Sequence, residues 1–231
     1  MRWIGVAVLA LITTAVNAET ITNAHFTEPT TRYAHGVLGD VVEWGALSLS
    51  LSDGRQLTMR LPEALVFEDI APRLADVDLD EDVEVIVVES SQTAGARLSI
   101  YDETGRIAAT PHIGRPNRWL APIGAADLDG DGYIEIAYID RPHLAKTLRI
   151  WRYEAGKLTE VASQPGLTNH KIGWDFILGG IRTCDGAPQI ITASGDWSRI
   201  IASTFDGTAI MMTDVGVYAG PDSLATALSC P

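Results

Sequence analysis

Four glycines, Gly54, Gly105, Gly156 and Gly207, stand 51 residues apart along this chain. Each lies in a tight polar turn between two alternating apolar runs, in the segments ALSLSLSDGRQLTMRL, ARLSIYDETGRIAATP, TLRIWRYEAGKLTEVA and RIIASTFDGTAIMMTD. Alternation with period two is the signature of a strand, so each segment reads as a β-hairpin. The residue that closes a short hairpin loop commonly adopts positive φ, which is costly for any side chain with a Cβ. The regular spacing therefore marks one structural requirement met four times.

A second element recurs with the same period. ADVDLDEDVEVIVVE begins at Ala75 and ADLDGDGYIEIAYID at Ala126, each an acidic loop running into an apolar strand. The loops precede their hairpins, so one unit reads as inner strand, acidic loop, second strand, hairpin. A period near 50 with several short strands per unit belongs to propeller blades, whereas helical repeats would show a 3.6-residue period. The prediction is an all-β fold, a small β-propeller-like array of about four four-stranded blades, with units near 19–70, 71–121, 122–172 and 173–223 of a single domain, 19–231. The stretch from Asp40 to Gly54 is only half as long as that from Asp76 to Gly105, so the first unit is shortened or pairs differently. The last unit carries RTCDGAPQII in place of the acidic loop, as terminal repeats often depart from the consensus. No amphipathic helix is expected beyond Ala18.

The acidic loops have the chemistry of cation sites. Counted from Asp127, carboxylates fall at positions 1, 3, 5 and 9 (Asp127, Asp129, Asp131 and Glu135), with Tyr133 at position 7. Hard cations such as Ca²⁺ take six to eight oxygens, and a loop curled around one ion presents alternate side chains and a backbone carbonyl from position 7. Gly130 and Gly132 permit the sharp bends. The second unit repeats the set with Asp76, Asp78, Asp80 and Glu84, and with Asp82 at the carbonyl position, but Leu79 and Glu81 replace the glycines, predicting a weaker site. An EF-hand would need a bidentate Glu at position 12, where this chain has Tyr138, and flanking helices, where it has the strand-like IEIAYI.

At these residues the chain resembles the FG-GAP or VCBS repeats, found in the integrin α-subunit propeller and in many exported bacterial proteins. The resemblance covers Pro72 to Trp174 most clearly. It implies calcium at Asp127, Asp129, Asp131, Tyr133 and Glu135, and at the Asp76 set. Four blades are fewer than the seven of the integrin propeller.

Met1 to Ala18 reads as a cleavable signal peptide, with Arg2, an apolar stretch and Val16-Asn17-Ala18 before Glu19. That places the protein in the periplasm or outside the cell, with no membrane insertion after cleavage. In such an oxidising compartment Cys184 and Cys230, the only cysteines, are expected to form a disulfide. A formal charge of −13 repels phosphate backbones and so excludes nucleic acid as a partner. His25, His35, His112, His143 and His170 show no metal-ligand spacing, and no nucleophile elbow, phosphate loop or zinc helix is present. Among the tryptophans, Trp119 and Trp174 open the third and fourth units and could stack on sugars, although packing is the simpler role for them. The sequence reading is thus a monomeric, non-enzymatic binding or adhesion module for a protein or carbohydrate partner. A lectin, and a hydrolase or lyase working on the propeller face, are the alternatives.

Overall fold

The computed structural model describes residues 20–184 and 186–230. The expected signal peptide, Met1 to Ala18, lies outside the described residues. The chain begins with β1 (Ile21–Thr30), β2 (Glu43–Leu51), β3 (Gln56–Arg60) and the short β4 (Leu65–Phe67). The second unit supplies β5 (Arg73–Ala75), β6 (Glu84–Ser91), β7 (Gly95–Asp102) and β8 (Gly105–Ala109). The third supplies β9 (Leu120–Ala126), β10 (Glu135–Asp140), β11 (Thr147–Glu154) and β12 (Lys157–Pro165). The last supplies β13 (Leu167–Thr168), β14 (Gly180–Cys184), β15 (Ala187–Ser194), β16 (Arg199–Phe205) and β17 (Ile210–Val217), followed by helix α1 (Pro221–Leu228).

All four expected hairpins form, as β2–β3, β7–β8, β11–β12 and β16–β17. Their glycines have φ of +88°, +134°, +77° and +89°, the region a Cβ disfavours. The fold is all-β in several curled sheets, but hydrogen bonding groups the strands into sheets of eight, four and five rather than four equal units. The cause is β4. Phe67 pairs with Trp44 of β2, while Leu65 to Phe67 also pair with Ser91 to Glu89 of β6, so one short strand joins the first two units edge to edge. The inner strand is divided in two units, β4 and β5 running along β6, and β13 and β14 along β15. In the third unit β9 runs unbroken beside β10, apart from a bulge between Ala137 and Tyr138.

The core explains why the second strands read as nearly continuous apolar runs. Strands covered on both faces need no polar side chains on either. Val85 and Val87 of β6 pack toward Leu47, Leu49 and Phe67 of the first unit. Ile86 and Val88, on the opposite face, pack with Ile136, Tyr138, Trp151 and Tyr153 of the third. In β10, Ile136 and Tyr138 face that same cluster, while Ala137 and Ile139 turn to Ile190 and Phe205 of the fourth unit. Each middle strand is therefore shared between two seams.

The outer face of the fourth unit is covered by α1. Leu224 of this helix is buried against Ile191, Ala193, Ile200 and Ala202. This helix corrects the expectation that none would follow the signal segment. It is eight residues long with one buried side chain, too short a pattern to announce itself in sequence. The fourth unit reaches the first through the edge of the central cluster, where Ile177 packs against the group that holds Val37 and Leu38. Those two units also meet through loops, where Gly173 N donates to Val37 O at 3.1 Å.

The Cys184–Cys230 disulfide is present and ties the residues after α1 to the end of β14. It closes a loop with a sequence separation of 46, worth about 4 kcal/mol on the chain-entropy model. Replacing both cysteines with serine should therefore lower unfolding stability by roughly 2–4 kcal/mol in a denaturant titration. A loss below about 1 kcal/mol would mean that Leu224 and its contacts hold the helix without the bridge.

Candidate functional site

Both acidic loops fold alike. Asp127 accepts from Gly130 N at 2.8 Å and Asp131 N at 3.1 Å through Oδ1, and from Gly132 N at 3.1 Å through Oδ2. Asp76 does the same with Leu79 N at 2.7 Å and Glu81 N at 3.1 Å. The closing glutamates match as well, Glu135 accepting from Leu128 N at 2.9 Å and Glu84 from Val77 N at 2.8 Å. Leu79 (φ +63°) and Glu81 (φ +76°) adopt the left-handed conformation of Gly130 (φ +80°) and Gly132 (φ +88°), their counterparts one repeat later. The second unit thus holds the same turn at a cost of about 1–2 kcal/mol for each non-glycine residue.

Three carboxylates of each loop converge, each offering an oxygen within 4.8 Å of the others: Asp76, Asp78 and Glu84, and Asp127, Asp129 and Glu135. Asp80, Asp82, Asp131 and Tyr133 are outside these groups. Asp80 caps Asp82 N at 2.9 Å, Asp131 caps Tyr133 N at 3.1 Å, and the Tyr133 ring lies 5.4 Å below the Arg152 guanidinium. Burial pushes the Glu84 carboxyl up to about 7, with repulsion from Asp78, Asp80 and Asp76 adding to it and the Val77 N–H opposing. These oxygen-only donor sets suit a hard cation, whose charge would relieve that repulsion.

Arg152 distinguishes the two loops. Its guanidinium contacts Asp129 at 2.8 Å, Asp131 at 2.7 Å and Glu135 at 2.7 Å. Among the described residues no basic side chain pairs with the Asp76 loop. Each loop also lies at a seam with the next unit. Tyr153, Glu154 and Ala155 share a small pocket with Asp78 and Leu79, and a Cβ added to Gly207 would come within 2.9 Å of Asp129 Oδ2.

A second cluster gathers at the other end of the strands. His35, from the loop between β1 and β2, contacts Glu68 Oε1 through Nδ1 at 2.5 Å, and Ser90 Oγ donates to Glu68 Oε2. Glu68 follows β4, in the break of the inner strand, and is fully buried. His143 Nε2 is 3.0 Å from His170 Nδ1, and His170 Nε2 is 2.9 Å from Trp174 O. His35 and His143 line a pocket of about 260 Å³ with Arg118, Trp119, Arg141 and Ile172. Burial, followed by the charges of His170 and His35, holds His143 down to about 4. Burial also raises the Glu68 carboxyl, against the pull of His35. Nearby, burial and then the charges of Glu68, Asp40 and Asp69 push Glu43 up to about 9.

His35 and His143 come to this pocket from the first and third units, which is why no local spacing disclosed it. His25 and His112 take no part; His112 Nδ1 is 2.7 Å from the Gly95 carbonyl. Trp119 takes the packing role, being 2% exposed and donating Nε1–H to Glu68 O at 2.8 Å. Trp174 stacks on Phe176 at 4.6 Å, and Lys171 Nζ sits 5.3 Å from the Trp174 ring and 4.7 Å from that of Trp197.

Residues 76–138 match the FG-GAP-like repeat family. The FG-GAP-like span takes in both loops and the hairpin between them. No curated protein matches the chain. Among solved structures, the exotype rhamnogalacturonan lyase YesX aligns at 14% identity with a TM-score of 0.48, covering 82% of this chain and 40% of that one. The rhamnogalacturonan lyase YesW aligns at 12% identity with a TM-score of 0.38, covering 87% of this chain and 51% of that one. The chain spans at most about half the length of these enzymes, and likeness of this degree carries no argument about activity. Among the described residues no helix is long and apolar enough to cross a membrane.

Two outcomes follow from this geometry. Arg152→Gln strips a shared cation from Asp129, Asp131 and Glu135, so in chelator it should cost roughly 2–3 kcal/mol by thermal or chemical denaturation. Added calcium should recover more of that loss in the variant than it adds to the parent; equal calcium responses would show that Arg152 does not compete for the loop. Glu43 has a folded-state value near 9 against an ordinary 4.5, so its contribution to stability is full below about pH 4.5 and is lost as pH rises through about 9. Glu43→Gln should flatten the decline of melting temperature across that range, and an unchanged slope would place the proton elsewhere.

Proposed function

We propose that this protein is an exported, calcium-binding repeat scaffold that serves as a non-enzymatic binding or adhesion module for a protein or carbohydrate partner. One observation carries the reading. Two loops one repeat apart fold into the same turn, bring three carboxylates each to one point, and sit where one unit meets the next. A calcium ion there would neutralise the crowded carboxylates and fasten the loops at the seams, giving an array whose exposed loops are ordered for recognition. Export is consistent with the disulfide, which oxidising compartments preserve. The strain kept at Leu79 and Glu81 supports a role for the second loop too, since an ordinary surface turn could relax it.

A second reading, hydrolysis or elimination on a glycan, is favoured by the pairing of His35 with the buried Glu68 beside a pocket. It would require turnover that Glu68→Gln abolishes without unfolding the protein.

A thermal melt with calcium, with magnesium and with chelator tests the leading reading. Ligand confined to the folded state adds RT ln(1 + [L]/Kd), or roughly 2.7 kcal/mol at a hundredfold excess over Kd, for each site. Calcium should raise the melting temperature, and the double change Asp129→Ala and Asp131→Ala should remove more of that rise than Asp78→Ala with Asp80→Ala. No calcium-specific shift would reduce both loops to solvated turns, and equal losses would make the sites equivalent despite the missing glycines.

A further inference from the structure

The pocket at the far end of the strands reverses the sign of the surface around it. The chain carries 30 acidic residues against 17 basic ones, yet the pocket is lined by two arginines, two histidines and no carboxylate. Glu68 lies beneath, engaged with His35 and Ser90. Arg141 is committed to Asp140 through two contacts of 2.8 Å. Arg118 reaches a neutral acceptor, the Asn117 carbonyl, at 2.8 Å, and among the described residues no acidic group lies within ion-pair distance of it. Arg118 is the lining cation whose charge remains to be met.

The hydrogen bonds also determine what each ring nitrogen offers. The Trp174 carbonyl can only accept, so His170 carries its proton on Nε2 and presents the Nδ1 lone pair. His143 then donates through Nε2 at 3.0 Å, which leaves its Nδ1 as a bare acceptor while the ring is neutral. His35 spends Nδ1 on Glu68, and its Nε2 has no protein partner among the described residues. Burial favours the protonated Glu68 carboxyl, which then donates to His35 Nδ1 and leaves the ring proton on Nε2, a second donor for an anion. Leu144 and Ile172, 63% and 71% exposed, give the mouth an apolar rim.

A guanidinium, an imidazole donor and an imidazole acceptor around about 260 Å³ match a ligand that combines an anionic group with a hydroxyl. The volume lies just below the range of about 300–1,000 Å³ usual for drug-sized ligands, which limits the occupant to one small molecule. We propose that this pocket binds a small hydroxylated carboxylate, its carboxylate held by Arg118 and His35 Nε2–H and a hydroxyl by His143 Nδ1. The proposal goes beyond calcium binding and does not depend on it. Glu135 opens β10 at the acidic loop, whereas Arg141 follows its other end, so the two sites are a strand length apart.

Isothermal titration calorimetry in calcium-containing buffer tests it, with glucuronate as the probe, glucose as the neutral ring of similar size, and acetate as a carboxylate without hydroxyls. Glucuronate should bind saturably, acetate about tenfold or more weakly, and glucose without detectable heat. Arg118→Gln should weaken glucuronate about tenfold or more while leaving the melting temperature unchanged, since this side chain holds only the exposed Asn117 carbonyl. His143→Phe should bring glucuronate down toward acetate and leave acetate unaffected. Equal heats from glucose and glucuronate, parental affinity in Arg118→Gln, or no saturable heat from glucuronate at millimolar concentration would each overturn the assignment. A melt insensitive to calcium would leave it standing, so the two ideas fail separately.

Discussion

Burial of the middle strands on both faces is the constraint on which the rest of the structure depends. A sheet with one wet face would permit polar residues at alternate positions of β6 and β10. Here Val85 and Val87 serve one seam while Ile86 and Val88 serve the next, and Ile136 to Ile139 repeat the arrangement one unit later. Shifting either strand by a single residue would exchange the two faces and their partners, so the register is held from both sides at once. That rigidity fixes the strand ends. Acidic loops and hairpin turns emerge at one end, and the loops bearing His35, His143 and His170 at the other.

Electrostatics work differently at the two ends. Around the acidic loops, like charges are crowded near solvent, and the third unit relieves them with Arg152 while the second has no equivalent basic partner among the described residues. Backbone N–H groups directed at Asp76 and Asp127 hold those carboxylates in place within their turns. At the pocket end, Glu43, Glu68 and Asp69 are buried, and burial favours their neutral forms. There the protein bears a desolvation cost in exchange for a firm base beneath the histidines.

Local rules were the most legible. Turn glycines, the carboxylate spacing and the two cysteines are requirements of a few neighbouring residues or of redox chemistry, and hairpins, convergent loops and the disulfide all form. Features that depend on a distant partner were not legible. Arg152 looks like any exposed strand residue until β11 places it opposite Glu135. β4 looks like the close of one unit, yet it pairs in both directions. Helix α1 offers one buried leucine and forms because the outer face of the fourth sheet would otherwise be open to water.

The sequence by itself determined the all-β class, the repeat period, the hairpins and the composition of the acidic loops, because glycine conformation, strand alternation and carboxylate spacing act within a few residues. Only the tertiary structure decided the division into three sheets, the pairing of Arg152 with the third-unit loop, and the meeting of His35, Glu68, His143 and His170. Those outcomes turn on which strand edges pair and which loops converge, and both are settled by burial summed over the whole chain.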